Sequence, residues 1–189
     1  MNRRQEILEA AAKSFSLFGY KATTMDQVAK IANVGKGTIY TFFANKEELF
    51  QAIVLKMIKE MRAEADAVLI KEDSFEENSH RALMKMLNFR KTHELFAKLI
   101  QEEKELRTPA VKEVLATIEE EILSYVEEKI QLAIEKGEII DCDIKLVAYL
   151  LFKAYLALVA DWGKSHDEEL DEERIAALLS GTIFKSLII

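Results

Sequence analysis

Apolar residues recur at three- and four-residue spacing along most of the chain, which is the period of one face of an α-helix. Ile7, Leu8, Ala11, Ala12, Phe15 and Phe18 predict an amphipathic helix over residues 3–18, with Gly19 as its stop. Thr24-Met25-Asp26-Gln27 reads as a capping box, so a second helix is predicted from Met25 to about Asn33, with Met25, Val28, Ala29 and Ala32 facing inward. Asn33-Val34-Gly35 predicts a tight turn, and Lys36 to Phe43 a short third helix. Asn45-Lys46-Glu47-Glu48 opens a long helix, from Lys46 to about Ile70. Its apolar face runs from Phe50 through Ile53, Val54, Met57, Ile58, Met61 and Ala65 to Val68.

Beyond about residue 71 the pattern is of helices joined by short polar links. Ser74-Phe75-Glu76-Glu77 is a further capping box, starting a helix to about Asn88, and another helix spans about 92–105. Thr108-Pro109 sets a capping threonine before a proline at the first helical position, and Gly137 closes the helix that follows. Two last helices are predicted at about 143–164 and 171–188. The first is apolar on almost every side, and the second carries Ile175, Leu178, Leu179, Thr182, Ile183 and Leu187. With one proline and six glycines in 189 residues, turn-rich β structure has little room. The expected fold class is all-α, with about nine helices in total.

Half the residues are hydrophobic and 31% are charged, an ordinary balance for a globular chain. The single cysteine, Cys142, has no second cysteine with which to form a disulfide or share a zinc site. No apolar block follows Arg3 and Arg4 as a signal peptide would require. The most apolar stretch, Leu146 to Ala160, has 15 residues with Lys153 in the middle, short of the roughly 20 that a membrane span needs. A cytoplasmic protein with no membrane partner is expected. Net charge is −7, yet residues 1–46 hold seven basic residues against three acidic ones. A cationic end on an acidic body suits a nucleic-acid binder that attracts phosphate at one end only.

Two short helices joined by a glycine-containing turn form a helix-turn-helix, whose second helix can enter the DNA major groove. Gly35 and Gly37 at the start of that second helix let backbone approach phosphate closely, and Lys36 and Lys46 flank it with positive charge. Thr38, Tyr40 and Thr41 supply hydroxyls for phosphates or base edges. Phe18-Gly19-Tyr20, Thr23-Thr24-Met25, Val28-Ala29, Asn33-Val34-Gly35-Lys36-Gly37-Thr38-Ile39-Tyr40, Phe43 and Lys46-Glu47-Glu48-Leu49 together resemble the N-terminal signature of the TetR family of bacterial transcriptional regulators. The resemblance implies a DNA-binding domain over residues 1–47. It also implies a helical ligand-binding and dimerisation domain over 48–189, and a homodimer on a near-palindromic operator in double-stranded DNA. It places Thr23, Thr24, Gly35, Lys36, Gly37, Thr38, Tyr40, Thr41 and Lys46 at the DNA. Thr24, Tyr40 and Lys46 fall on phosphates, and Lys36, Gly37, Thr38 and Thr41 towards the groove. One position departs from the family: Phe42 stands where Tyr or His is common, and phenyl cannot donate to phosphate.

Other chemistry is weakly supported. A P-loop needs Ser or Thr directly after Gly-Lys, and Gly37 follows Lys36. Glu77-Asn78-Ser79-His80 matches the Glu-x-x-His element of di-metal bundles, but no second copy exists, and Glu77 belongs to a capping box. No serine, cysteine or histidine lies in a recognisable nucleophile setting. Neither an enzyme, a metal site nor a cofactor is expected. His93 and His166 read as surface or cap residues, and the acidic runs Glu102-Glu103-Lys104-Glu105 and Glu119-Glu120-Glu121 as solvated faces, with one acid available to line a pocket. In the body, Met61, Met86, Phe89, Phe96, Tyr125, Phe152 and Tyr155 are candidates to line an apolar pocket for an unidentified small-molecule effector. Leu150, Leu151, Ala154, Leu158, Trp162, Leu179 and Ile183 are candidates for a two-fold dimer interface. The expected function is that of a dimeric repressor released from its operator by an apolar or amphipathic ligand. The alternative is a helical ligand-binding or adaptor module that does not act on DNA.

Overall fold

Caps and breakers written into the sequence set the helix ends. The structure, a computed structural model, describes residues 2–166, 168 and 170–188. Nine helices form among them: α1 Arg3–Ala22, α2 Met25–Ile31, α3 Lys36–Phe42, α4 Lys46–Ala67, α5 Phe75–Thr92, α6 Glu94–Leu106, α7 Pro109–Glu135, α8 Ile144–Leu156 and α9 Glu172–Gly181. α8 continues without a break into a π turn, Ala157–Asp161, and a last helical turn, Trp162–Ser165. No strand occurs among the described residues, so the all-α expectation holds. None of their helices is long and apolar enough to cross a membrane.

α1 breaks its helical path at Gly19, which takes φ +83°, a left-handed value that costs glycine little. Both halves of the Thr24/Gln27 capping box are present: the Thr24 hydroxyl accepts from Gln27 N, and the Gln27 amide oxygen accepts from Thr24 N. α2 stops two residues before the predicted Asn33. Asn33 itself adopts φ +52°, while the Asn33 and Val34 N–H groups turn back to Lys30 O and Ala29 O. That is a Schellman ending with asparagine in the usual glycine position. Ser74 and Glu77 cap α5 reciprocally, and Gly137 at φ +71° ends α7. His93 caps α6 by accepting from Phe96 N.

The last helix was expected to reach residue 188, and it ends at Gly181. The Thr182 hydroxyl folds back onto Leu178 O, and the chain then carries Ile188 opposite Ile139 in an isolated antiparallel bridge, with Ile140 N donating to Leu187 O. Phe184 and Leu187 thereby enter the core from a short 3-10 turn, Phe184–Ser186, in place of a continued α-helix.

The chain divides into two compact units. The first comprises residues 1–60 and 89–118, the second 61–88 and 119–189. In the first, α1, α2, α3 and the start of α4 close over Ile7, Phe15, Val28, Ile39 and Phe50, and α1 packs extensively on α6. In the second, Met61, Leu83, Met86, Tyr125, Leu151 and Tyr155 form the centre, each almost fully buried. Arg62 there bridges to Glu121 and Glu128 of α7, and the Tyr125 hydroxyl donates to Asp66.

Candidate nucleic-acid interface

α3 is the second helix of the helix-turn-helix, and its orientation follows from one anchor. Ile39 is fully buried, as is Phe43 just past the helix end, so the opposite face must look outward. That face carries Lys36, Gly37, Tyr40 and Thr41, with Gly35 exposed at the N-cap and Thr38 half-buried. Tyr40 keeps 44% of its surface accessible, unusual for a tyrosine in a domain with ample core to join. The Thr41 hydroxyl donates to Gly37 O, which leaves its oxygen lone pairs and methyl group outward. Thr24 is exposed at the N-terminus of α2, its hydroxyl occupied by the capping box. Lys36 pairs with Asp26 at 3.0 Å, both groups largely exposed. The hydrogen bond and charge of Asp26 raise the Lys36 pKa above its ordinary value. A surface pair of this kind holds weakly, and phosphate can compete for the ammonium.

Gly37 sits inside a helix with no positive φ, and a Cβ added to it would meet nothing within 4 Å. The packing of the protein therefore does not require glycine there. Gly37→Ala is expected to stabilise the free protein by a few tenths to about 1 kcal/mol. It should also weaken operator binding, because the methyl group would stand where backbone must approach DNA. Denaturant midpoints and operator titrations check the two opposite signs.

Two residues assigned to DNA contact have internal duties. Thr23 is fully buried, its hydroxyl donating to Gly19 O at 2.8 Å and lying 3.1 Å from Ser14 Oγ. Its side chain cannot reach a phosphate, and it staples the corner between α1 and α2. Lys46 is half-buried: Nζ donates to Tyr20 O and Thr23 O at 3.0 and 3.1 Å and lies 4.2 Å above the Tyr20 ring. Two of its three N–H donors are committed to the same corner, so its first role is to fix the reader.

Sequence reasoning missed Tyr20 and Glu102. Tyr20 is buried between Phe15 and Phe50, and its hydroxyl donates to Glu47 at 2.9 Å. Burial, then Glu47, pushes its pKa up to about 12. The native state holds this proton more tightly than the unfolded chain, where tyrosine titrates near 10. The stabilisation is therefore full below pH 10 and is lost as pH rises through about 12. Phenolate absorbance should show Tyr20 ionising only with alkaline unfolding. A Tyr20→Phe variant should lose one tyrosine's share of that step, to which the buried Tyr125 and Tyr155 also contribute, and ionisation of Tyr20 near pH 10 in an intact fold would contradict the assignment. Glu102 belonged to a run read as solvated. It is 4% exposed and accepts from Tyr20 N, Lys21 N and the Thr108 hydroxyl.

The body candidates separate. The second unit holds a cavity of about 300 Å³ lined by the link that follows α4, by α5 and by α7 with the turn after it. Tyr125 lines it, together with Leu69, Phe75, Leu83, Val126 and Lys129. Met61, Met86, Phe152 and Tyr155 do not line this cavity and are core, while Phe89 and Phe96 belong to the first unit, where Phe89 stacks on His93. Aromatic and Met residues at helical spacing faced inward in each case, as apolar side chains on an amphipathic helix do. Leu151 and Leu179 are likewise core residues at 0% and 3% exposure, so neither can meet a second subunit. Leu150 is 52% exposed, and Ala154, Leu158, Trp162 and Ile183 are half-buried. The outward apolar face also includes Leu146, Tyr149 and Leu178, which the sequence reading did not select. Glu77 and His80 do not form a metal pair: Glu77 caps Ser74, and His80 Nδ1 lies 2.8 Å from the Tyr155 hydroxyl. Among the described residues no group of three His, Cys, Asp or Glu could hold a metal ion.

Comparison with known proteins agrees with this architecture. Residues 7–53 match the sequence model of the bacterial regulatory proteins of the tetR family. Over 187 residues the chain is 53% identical to an uncharacterised HTH-type transcriptional regulator, YhgD, of Bacillus subtilis, covering 99% of this chain and 97% of that one. The HTH-type transcriptional repressor AcnR of Corynebacterium diphtheriae is 31% identical over 106 residues, 56% of this chain and 51% of the relative. A solved structure from Clostridium perfringens, described as a fatty acid metabolism regulator, superposes with a TM-score of 0.62 at 26% identity. It covers 97% of this chain and 99% of the other. The helix-turn-helix with its outward Lys36–Thr41 face, the helical body and a full-length relative converge on one conclusion: the chain belongs to the TetR family of bacterial transcriptional regulators.

Proposed function

We propose that the protein is a homodimeric repressor whose residues 1–47 read a near-palindromic operator and whose residues 48–189 dimerise and bind a small effector. The observation that carries the DNA half is the exposed face of α3, where Lys36, Tyr40 and Thr41 stand outward around a glycine that packing does not require. Tyr40, Thr24 and Lys36 position the protein on phosphates, while Thr38 and Thr41 discriminate bases. Lys46 and Thr23 support this surface from behind.

The apolar face formed by Leu146, Tyr149, Leu150 and Leu178 supports dimerisation, since a single chain leaves these four about half exposed or more. Helices α8 and α9 of two copies would form a four-helix interface with two-fold symmetry.

The cavity in the second unit is the candidate effector site. Its apolar walls, Leu69, Phe75, Leu83 and Val126, stand with charged groups of both signs, Lys71, Lys129 and Lys136 beside Asp73 and Glu138, with Lys129 paired to Asp66 and Lys136 to Glu138, which suits an amphipathic molecule. α4 runs unbroken from Lys46 to Ala67, so a displacement at its cavity end has a continuous path to its reader end. The ligand acts only through its difference in affinity between the two states. Cytoplasmic operation follows from a DNA target.

Selection of bound duplexes from a random pool tests this reading. The expected product is an inverted repeat with half-sites about one helical turn apart. Recovery of no enriched sequence by a folded protein would favour the adaptor reading.

A further inference from the structure

The Glu102 carboxylate is placed as few surface acids are. It lies on α6, and it is 4% exposed. Both its oxygens are used: Oε2 accepts from Tyr20 N at 2.6 Å, and Oε1 from Lys21 N at 3.0 Å and the Thr108 hydroxyl at 2.9 Å. Tyr20 and Lys21 directly follow the kink at Gly19, where φ +83° turns successive N–H groups to one side. Such a concave run of backbone donors is an anion nest, and here the anion is supplied by the protein itself. Gly19 has a second reason to be glycine besides its φ. A Cβ built there would overlap Glu102 Oε2 and touch the Lys98 side chain. The acid and the glycine therefore fit as a lock, with the acid 82 positions beyond Tyr20 in sequence.

The corner held by this lock is the one that carries the reader. Thr23 staples it through Ser14 and Gly19 O, Lys46 ties it to the start of α4, and Thr24 begins α2 immediately afterwards. We propose that Glu102 is the positioning residue that clamps the α1–α2 corner to α6, so that the setting of α6 is transmitted to the reader through one carboxylate. Glu102 itself touches no DNA. It orders the corner before binding, and its loss adds an ordering cost that every operator complex must meet. The inference rests on residues 1–47 being the DNA reader.

The experiment is a double-mutant cycle on the full-length protein, read by titration of the duplex recovered by selection. Glu102→Gln keeps shape but faces one backbone N–H with an amide NH2, and Glu102→Ala removes the acceptor altogether. Gly19→Ala forces the same carboxylate out of the nest. Each is expected to weaken operator binding by about tenfold, and Gly19→Ala with Glu102→Ala to fall short of the product of the two, because the displaced carboxylate is common to both while the backbone strain at φ +83° belongs to the Gly19 change alone. The slope of affinity against salt should stay as in the wild type, since no phosphate contact is lost. Amide exchange should show Tyr20 and Lys21 protected in the wild type and opened in the Glu102→Ala and Gly19→Ala variants, with the central α1 amides unchanged. Independent, multiplicative effects would overturn the inference. So would wild-type affinity with those two amides open, or free exchange at Tyr20 and Lys21 in the wild type, a measurement that needs no variant to fold. Lys36→Ala with Tyr40→Ala serves as the control. If that pair leaves binding intact, the reader assignment itself fails; if it abolishes binding while the Glu102 variants do not weaken it, only the clamp fails.

Discussion

Leu150→Glu is expected to convert the protein to a monomer and to lower operator affinity by a factor of about 10² to 10⁴. Leu150 is 52% exposed and stands on α8 with Leu146 one turn before it and Tyr149 beside it. Two readers on one dimer bind the second half-site as an intramolecular event. A monomer loses that effective concentration although each reader is untouched. Burying an unpaired carboxylate in an apolar interface costs several kcal/mol, so the effect on association should be near complete. Sedimentation and operator titration measure the two consequences separately. A neighbouring change on the inward face, Leu151→Glu, should instead unfold the body, because Leu151 is fully buried in the single chain. An unchanged dimer in the Leu150 variant would move the interface elsewhere.

Phe50→Ala is expected to cost about 3–5 kcal/mol of stability in the first unit. Phe50 is 2% exposed, its ring 5.2 Å from Phe15 edge-on and 4.5 Å from Tyr20. Truncation removes the side chain that holds α4 against the kinked end of α1, and the rigid walls leave a cavity in place of collapse. A loss of that size is a large fraction of the roughly 5–15 kcal/mol that holds a domain folded, so the reader should melt well below the wild-type temperature. Circular dichroism melting of the variant checks it. Phe50→Leu, which refills most of the volume, should recover the larger part, whereas a loss below about 1 kcal/mol for alanine would show that the ring cluster does not organise the unit.

Where a helix end depended on local chemistry, the sequence displayed it. Thr24/Gln27, Ser74/Glu77, Pro109 and Gly137 each mark an observed boundary because a cap is a contact between residues three or four apart. The end of α9 was not legible: what stops it is a pairing with Ile139 and Ile140, almost fifty residues earlier. The reader face of α3 was legible for a similar local reason, since Ile39 inward fixes Lys36, Tyr40 and Thr41 outward on a helix. The supporting side was not. Thr23 and Lys46 were both hydroxyl- or charge-bearing residues in a cationic segment, and only the fold shows their donors turned inward. Glu102 sat in a run of acids that any helical surface could carry. Its burial depends on Gly19, whose place as a helix stop was visible but whose missing Cβ serves a residue on α6. Pocket and interface positions were the least legible because periodicity gives a face without its direction, and Leu150 and Leu151 are neighbours with opposite exposure.

In the proposed repressor, α3 presents the operator-reading surface through Lys36 and Tyr40. The direct measurement is titration of the selected operator duplex over a range of salt concentrations with wild-type protein and with Lys36→Ala/Tyr40→Ala. Removing two groups from phosphates should weaken binding to every sequence by about 10²-fold and make the salt slope shallower by about 1 per lost lysine contact in each subunit. The dimer and its melting temperature should stay within the wild-type range, since both side chains are exposed. Wild-type affinity and slope in the folded double variant would contradict the account.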